Sequence, residues 1–377
     1  MDVNDVVNNL TDPAVLFFFV GVFIGFVRSN LEIPAPVTKF LSLYLLMALG
    51  FKGGQALGDA GLSGDAVQVI GAALFLAVLT PVLAFAVLRN RINAFDAAAI
   101  AATYGSVSAV TFVTASQFVT ARGDEAGGYL TVALVVMESP AIVMAVLLAT
   151  WVRSRGGVAG ASAAIGATAL STVAVNDARL VVPEADRPSG QPAADERRAE
   201  RHGERHGEGH GSEPLSVKEV LREAFTDGAH LLLIGSMVVG AVTGDDGGAA
   251  MDPFVNGLFK GLLAFFLLEM GLLVARQLRE VRDVGPFLVG FGIVTPIVNA
   301  SIAIGIAWLF DMSVGDATLL AVLAASGSYI VVPAVIRYAI PEARPSRYFT
   351  LALGVTFPLN ISIGIPLYHA AAGAIVG

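Results

Sequence analysis

The chain contains no cysteine, so disulfides and thiolate-ligated metal sites are excluded throughout its 377 residues. Charged residues are scarce as well, at 14% of the chain, against about a quarter in a typical soluble domain. Hydrophobic residues make up 55%, and the mean hydropathy is +0.72. This balance indicates an integral membrane protein.

Catalytic signatures are also missing from the sequence. It has no GxSxG nucleophile elbow, no HExxH zinc motif, no GxxxxGK phosphate-binding loop and no aspartate pair of an intramembrane protease. Ser106 has no plausible histidine partner at its depth. We therefore expect no enzymatic activity and no organic cofactor, and nucleic acid is not an expected partner.

Ten apolar stretches are candidates to cross about 30 Å of hydrocarbon, which takes roughly 20 residues, and the first and sixth of them are short. The acidic N-terminus lacks the basic region of a cleaved signal peptide, so we expect the first stretch to be retained. The sequence thus predicts an all-α polytopic membrane protein with ten transmembrane helices. They fall at residues 12–28, 34–51, 66–88, 95–121, 127–152, 229–244, 253–275, 284–310, 315–338 and 347–372.

The two halves of the chain repeat one another. Because each half has an odd number of spans, the second half would enter the membrane upside down, which predicts two inverted five-helix repeats. Matching residues follow in the same order at a nearly constant offset: Lys39 and Gly50 with Lys260 and Gly271 at 221, Thr80-Pro81 with Thr295-Pro296 at 215, Asp96, Ser106 and Ser108 with Asp316, Ser326 and Ser328 at 220, and Pro140 with Pro358 at 218.

Basic residues are distributed unevenly between the connecting loops. One set of loops carries only Lys52 and Arg122 and collects aspartates. Since basic loops stay in the cytoplasm, we expect a multi-pass protein of the cell's inner membrane with both termini outside and the central linker inside. The basic set consists of Arg28, Arg89, Arg91, Arg153, Arg155, Arg276, Arg279, Arg282, Arg337, Arg344 and Arg347.

A polar linker separates the two repeats. Its proline-rich, charged composition favours disorder. The histidines at 202, 206 and 210 are interpreted as part of this solvated tract rather than as a metal site. Ser216 and Glu219 form a capping-box pattern, which predicts a short amphipathic helix at about 216–228. The expected division is 1–152 for the first repeat, 153–228 for the linker and 229–377 for the second repeat.

Small polar residues interrupt the fourth and ninth stretches at matching points. They free backbone groups, which a membrane tolerates only where these face protein or a cavity. Two such breaks at corresponding positions are the best sequence pointer to a transporter's binding site. Helix N-termini meeting there would suit a small anion, although small residues also allow simple close packing. The candidate substrate-binding residues are Gly105, Ser106, Val107, Ser108, Ala109, Thr111, Ser326, Gly327, Ser328 and Tyr329.

Glu138 is a carboxylate at membrane depth in the fifth stretch, where a charge is costly and points to function. Pro140 removes one helical hydrogen bond and would leave a carbonyl oxygen available. The corresponding segment of the tenth stretch is Phe357-Pro358-Leu359-Asn360, where Asn360 offers a neutral oxygen. We predict a sodium site formed by Glu138, Asn360, Ser108 and Thr111, and no transition-metal site. The alternative is that Glu138 pairs with a buried donor for structure alone.

Short motifs in both halves resemble those of one transporter family. They are Leu31-Glu32-Ile33-Pro34-Ala35-Pro36, Gly50-Phe51-Lys52-Gly53-Gly54, Asp252-Pro253-Phe254, Leu258-Phe259-Lys260-Gly261-Leu262-Leu263, Ala324-Ala325-Ser326-Gly327-Ser328 and Gly364-Ile365-Pro366-Leu367. Their order and spacing cover both membrane halves, all but the linker. On these motifs the chain resembles the sodium-dependent bicarbonate transporter family of cyanobacterial type.

The resemblance implies a gate domain of spans 1, 2, 6 and 7 and a core domain of spans 3–5 and 8–10. It also implies a homotrimer, bicarbonate and sodium bound where spans 4 and 9 cross, and a PII-like regulatory protein on the cytoplasmic face. Family members read Ser-Gly-Ser-Thr where this chain has Ser108-Ala109-Val110-Thr111, and Ser-Ser-Ser-Asp where it has Ser326-Gly327-Ser328-Tyr329. The family's aspartate in the fifth span appears as Glu138.

Three functional hypotheses follow from these features. The leading one is a secondary active transporter that carries bicarbonate or a similar small anion together with sodium by alternating access. The second is a sodium–proton antiporter with Glu138 as the proton carrier. The third is a membrane sensor or scaffold that transports nothing and acts through its linker.

Overall fold

Every regular element in the described part of the chain is helical. The computed structural model describes residue 7 and residues 9–61, 63–155, 228–329 and 331–377, and no strand occurs among them. The all-α prediction is confirmed for these residues. The elements are α1 (Pro13–Phe26), α2 (Ala35–Ala60), α3 (Gly64–Leu88), α4 (Ala94–Gly105), α5 (Ala109–Ala121), α6 (Tyr129–Arg155), α7 (Gly228–Asp252), α8 (Phe259–Val284), α9 (Pro286–Leu309), α10 (Val314–Ala325), α11 (Val331–Ala339) and the helical segment α12 (Pro345–Ile375).

Seven helical stretches among the described residues are long and apolar enough to cross a membrane, and α1 and α10 are shorter apolar helices. One of the seven, Leu231–Val284, has 54 residues, far more than the roughly 20 that one crossing needs. It contains α7 and α8 and bends at Gly244, where φ is 52°. A π-helical turn, Pro253–Gly257, follows before α8 begins. The chain is therefore a multi-pass membrane protein.

The helix of the seventh predicted span continues nine residues beyond the end of that span. Helix α8 continues past residue 275 to Val284 and carries Arg276, Arg279 and Arg282 on its last turns rather than in a loop. The apolar pattern fades where the helix leaves the hydrocarbon, but arginine, glutamine, leucine and glutamate are good helix formers and prolong it. Gly285, at φ 91°, then ends the helix, and Pro286 starts α9.

Glycines allow close packing between helices of opposite halves. Helix α1 lies against α8, where a Cβ at Gly21 would overlap the carbonyl oxygen of Leu268. Helix α2 lies against α7, where a Cβ at Gly54 would overlap the carbonyl oxygen of Met237. The first helix of each half thus packs on the second helix of the other half. Because glycine has no side chain, the two backbones come into contact at these positions.

The loops gather at two ends of the helices. At one end Arg153 binds Glu342 through two nitrogens, at 2.9 and 3.0 Å, and Arg279 donates to the Gly25 carbonyl. At the opposite end the described contacts include ion pairs between Asp12 and Lys260, 3.0 Å, and between Asp124 and His369, 2.8 Å. Each contact joins two parts of the chain that the charge pattern predicts to share a side of the membrane.

The linker predicted at 153–228 lies outside the described residues except at its two ends. Residues 153–155 complete α6, and residue 228 begins α7. The amphipathic helix predicted at about 216–228 and the histidine tract therefore remain predictions.

Candidate functional site

Two membrane helices are broken at the points marked by the small polar residues. The chain leaves α4 in an extended conformation at Ser106, with φ −103° and ψ −177°, and resumes as α5 at Ala109. It leaves α10 in the same manner at Ser326, with φ −93° and ψ 167°, and resumes as α11 at Val331. An extended residue ends the helical hydrogen bonding, so each break exposes one helix C-terminus and one helix N-terminus.

The two breaks are bonded directly to one another. The amide of Ser108 donates to the side-chain oxygen of Ser326 at 3.1 Å, and the amide of Ser328 donates to the carbonyl of Thr103 at 3.0 Å. The Ser108 hydroxyl also donates to the Tyr329 oxygen at 3.3 Å. All five residues are buried. The predicted meeting of the two patches is therefore present in the structure.

A serine caps the helix that follows each break. The Ser108 oxygen accepts the amide of Thr111 at 3.2 Å and the Thr111 hydroxyl at 2.9 Å. The Ser328 oxygen accepts the amide of Val332 at 3.3 Å. No described residue accepts a hydrogen bond from the amide of Ala109 or Val110. The positive ends of α5 and α11 thus lie at the junction of the breaks, and the start of α5 has two available donors.

The carbonyl ends of α4 and α10 differ. At α10 the Leu323 oxygen accepts the Ser326 hydroxyl at 2.9 Å. The side-chain amide of Asn299 donates to the Ala324 carbonyl at 3.1 Å, and that of Asn360 donates to the Ala325 carbonyl at 2.9 Å. The last three carbonyls of α10 are therefore satisfied by neighbouring side chains.

The end of α4 has oxygen atoms without donors. The Thr103 carbonyl is taken by Ser328, but no described residue donates to the carbonyls of Tyr104 and Gly105. The Ser106 hydroxyl beside them is 1% exposed and has no hydrogen-bond partner among the described residues. The break after α4 thus combines one buried hydroxyl without a partner and two carbonyl oxygens that accept no hydrogen bond from a described residue, although buried polar groups are nearly always paired.

Gly105 and Gly327, one in each break, differ in the space that a side chain would have. A Cβ at Gly105 would lie 2.8–2.9 Å from the ring carbons of Pro81 in α3, so only glycine fits. A Cβ at Gly327 would lie no closer than 3.6 Å to its neighbours, Ala352 and Thr103. Gly105 is a packing position, whereas Gly327 leaves room. Of the remaining predicted residues, Val107 is buried within the first break, and Ala109, the first residue of α5, is half-buried.

Both polar atoms of the Asn360 side-chain amide form hydrogen bonds. Its nitrogen caps α10, and its oxygen accepts the Tyr368 hydroxyl at 2.9 Å. Glu138 lies half-buried on α6, the helix that packs against α4. The hydrogen bonds of Asn360 therefore do not join it to Glu138, and the sodium site predicted around this pair stays a prediction.

Two buried aspartates make reciprocal contacts across the halves. Asp96, at the start of α4, accepts the amide of Arg344 at 2.8 Å and pairs with the Arg347 guanidinium at 2.9 Å, both at the start of α12. Asp316, at the start of α10, accepts the amide of Gly127 at 2.8 Å and the Tyr129 hydroxyl, both at the start of α6. Each aspartate thus fixes a broken helix of one half to the start of the last helix of the other.

Sequence reasoning missed the helix-capping role of Asn299 and the bond from Tyr368. The available signal was polarity alone, since an amide inside a membrane helix needs a partner. Nothing in the sequence identifies that partner as the end of α10.

Helices that break inside a membrane, with buried polar groups gathered at the breaks, define this chain as a membrane transport protein. The model of the Na+-dependent bicarbonate transporter superfamily matches residues 13–373, nearly the whole chain. The chain belongs to this superfamily, so the expectation that it is a transporter and not an enzyme is confirmed. A search of curated proteins finds no match.

Proposed function

We propose that the protein carries bicarbonate or a similar small anion into the cell together with sodium, by alternating access. The observation that supports this most directly is the group of unpaired oxygens at the end of α4, next to two helix N-termini. Carbonyl ends attract a cation and amide ends attract an anion. One buried site can therefore bind both ions side by side, and each would stabilise the other.

The anion half of the site is assigned to the starts of α5 and α11. The free amides of Ala109 and Val110 supply donors at the positive end of α5. The hydroxyls of Ser108 and Tyr329 lie at the same junction. None of these groups carries a fixed charge, which suits an anion that must be released again after the protein changes conformation.

The cation half is assigned to the break after α4. The carbonyls of Tyr104 and Gly105 and the hydroxyl of Ser106 are neutral oxygens of the kind that unwound transporter helices offer to sodium. The corresponding carbonyls of α10 are already occupied. Glu138, on the neighbouring helix α6, would supply the negative charge that balances the ion.

The proposed architecture is ten spans in two inverted five-helix repeats. The exchanged contacts support it: α1 packs on α8 as α2 packs on α7, and Asp96 and Asp316 each bind the other half. The proposed gate consists of α1, α2, α7 and α8, and the core contains the broken helices. Movement of the core against the gate would open the site to either side in turn.

Orientation and assembly are proposed from the charge pattern and the family. The basic end, with Arg153, Arg279 and Arg347, would face the cytoplasm and both termini the outside of the inner membrane. We further propose a homotrimer and a PII-like protein bound on the cytoplasmic face, as the family resemblance implies.

Uptake of labelled bicarbonate into proteoliposomes tests the function. An inward sodium gradient should drive accumulation, and replacing sodium with choline should abolish it. Ser106→Ala should reduce sodium-dependent uptake by about tenfold, the effect of losing roughly 1.4 kcal/mol of binding. Ser301→Ala is the matched control, because Ser301 is exposed on α9 and bonds only to the Ile297 carbonyl among the described residues.

Two outcomes would count against the proposal. Equal uptake with sodium and with choline would show that transport is not coupled to sodium. Sodium-driven proton movement that needs no anion and is lost in Glu138→Gln would instead establish antiport.

A further inference from the structure

A cleft of about 300 Å³ opens where three loops meet at the basic end of the protein. It lies at the junction of α8 and α9, beside the turn after α3 and the start of α12. Its lining combines two arginines with apolar side chains. The lining residues are Arg91, Ile92, Val284, Gly285, Pro286, Phe287, Leu288 and Arg347.

We propose that this cleft binds an anionic phospholipid, with the phosphate between Arg91 and Arg347 and the glycerol and upper acyl chains against the apolar wall. Basic pockets between membrane helices at the cytoplasmic side are sites for anionic headgroups. The site is separate from the broken helices, and its binding does not depend on which ion the protein carries.

The charge at the cleft is positive after local pairing is considered. Arg347 is bound to Asp96 at 2.9 Å, and the second oxygen of that carboxylate is taken by the amide of Arg344. This pair fixes the Arg347 guanidinium, which has five donors and can bind a second anion with those left over. Arg91 is exposed, and the ion pairs among the described residues do not include it. Its guanidinium therefore adds an uncompensated positive charge.

Arg91 is already oriented toward the cleft. Its guanidinium carbon lies over the Phe287 ring, 5.8 Å from the centroid. Stacking on an aromatic face leaves the edge nitrogens of a guanidinium free to donate. A phosphate can accept two parallel hydrogen bonds from this edge.

The backbone of the junction adds donors. Gly285, at φ 91°, separates α8 from α9, and α9 starts at Pro286 without a side-chain cap. Val289 donates to the Gly285 carbonyl, which leaves the amides of Phe287 and Leu288 without acceptors in the described residues. Phe287 and Leu288 both line the cleft, so the positive end of a long helix lies at its wall.

The apolar wall distinguishes a lipid from a free phosphate ion. Phe287 is 41% exposed, and the buried Val284 and Leu288 also line the cleft. A hydrated phosphate gains nothing from such a wall, whereas a glycerolipid covers it. The cationic edge suits the phosphate, and the apolar wall suits the glycerol and acyl chains. The cleft therefore favours a phospholipid over a soluble anion.

A thermal-shift titration of the purified protein in neutral detergent tests the proposal. The probes are short-chain phosphatidylglycerol, the matching phosphatidylcholine and inorganic phosphate. We expect phosphatidylglycerol to stabilise the protein at concentrations about tenfold lower than phosphatidylcholine, since one charge-assisted hydrogen bond accounts for this ratio. Inorganic phosphate should have little effect.

Three variants test whether the lipid binds at this cleft. Arg91→Gln should weaken phosphatidylglycerol binding about tenfold, and it should not affect folding because the side chain is exposed. Arg89→Gln is the matched control, since Arg89 is exposed in the same turn but does not line the cleft. Phe287→Ala should weaken binding of the lipid without changing any response to phosphate.

Equal losses in Arg89→Gln and Arg91→Gln would show general surface attraction and overturn the assignment. Equal stabilisation by phosphatidylcholine would do the same. Stabilisation by inorganic phosphate that depends on Arg91 but not on Phe287 would overturn the lipid as ligand and identify a free phosphate in its place.

Discussion

The backbone amide of Ser108 donates to the side-chain oxygen of Ser326 at 3.1 Å, and the Ser326 hydroxyl donates in turn to the Leu323 carbonyl at 2.9 Å. Ser106 is the counterpart of Ser326 at an offset of 220 residues, yet its buried hydroxyl has no partner among the described residues. Two serines that correspond in sequence thus differ in role. Ser326 joins the broken helices, and Ser106 retains its capacity to bind a ligand.

This difference predicts that the same substitution destabilises the protein at one serine and not at the other. Ser326→Ala should lower the free energy of unfolding by about 1–3 kcal/mol, because it leaves the buried amide of Ser108 without an acceptor. Ser106→Ala should leave stability unchanged, since no hydrogen bond to a described residue is lost. Thermal unfolding of both purified variants in the same detergent measures this. Equal destabilisation of the two would show that Ser106 is structural.

The two glycines of the breaks give a second comparison. Gly105→Ala places a Cβ 2.8–2.9 Å from the rigid ring of Pro81 and should cost about 1–3 kcal/mol through overpacking. Gly327→Ala meets nothing closer than 3.6 Å and should unfold at the wild-type temperature. Melting temperatures of the two variants decide the matter. A stable Gly105→Ala would mean that α3 and α4 can separate without cost.

The contact between the two broken helices was predictable from the repeat, but the difference between their carbonyl ends was not. The offset of 220 aligns Ser108 with Ser328, and both prove to be helix caps. The residues that make α10 different are Asn299 and Asn360, which lie on α9 and α12. At the offsets of their nearest anchors, 215 and 218, the first repeat has Ala84 and Ile142 in their places. A pattern shows that a donor is present, but only the fold shows which carbonyl it reaches.

Some helix boundaries were predictable from the sequence and others were not. The breaks were marked by glycine and serine, which free the backbone of a membrane helix at identifiable residues. The end of α8 was missed because hydropathy reports the edge of the hydrocarbon, whereas the helix stops at Gly285 for conformational reasons. Composition predicts where a helix leaves the membrane better than where it ends.

The reciprocal aspartates predict matched losses of stability. Asp96→Asn weakens the bond to Arg347, and Asp316→Asn weakens that to Tyr129. Each should cost about 1.5–3 kcal/mol, as expected for hydrogen bonds to a buried charge. Asp245→Asn, on an exposed site of α7, is the control and should be neutral. Thermal unfolding measures all three, and the prediction fails if either buried variant behaves like the control.

The contact between α2 and α7 predicts a strong requirement for glycine at one position. A Cβ at Gly54 would overlap the carbonyl oxygen of Met237, which belongs to a helical backbone that cannot move alone. Gly54→Ala should therefore force the two helices apart and cost at least about 1–3 kcal/mol. A Cβ at Gly290, on α9, would meet no neighbouring atom within 4 Å among the described residues, so Gly290→Ala is the matched control.

Gly290→Ala should be neutral or slightly stabilising, because alanine is favoured over glycine in a helix by about 0.8–1 kcal/mol. Melting temperature and the yield of monodisperse protein distinguish the two variants. A lower yield of Gly54→Ala with normal Gly290→Ala would place the defect at the contact between α2 and α7. Normal behaviour of both would mean that this contact adapts by shifting α7, and the close approach at Gly54 would then contribute little to the stability of the fold.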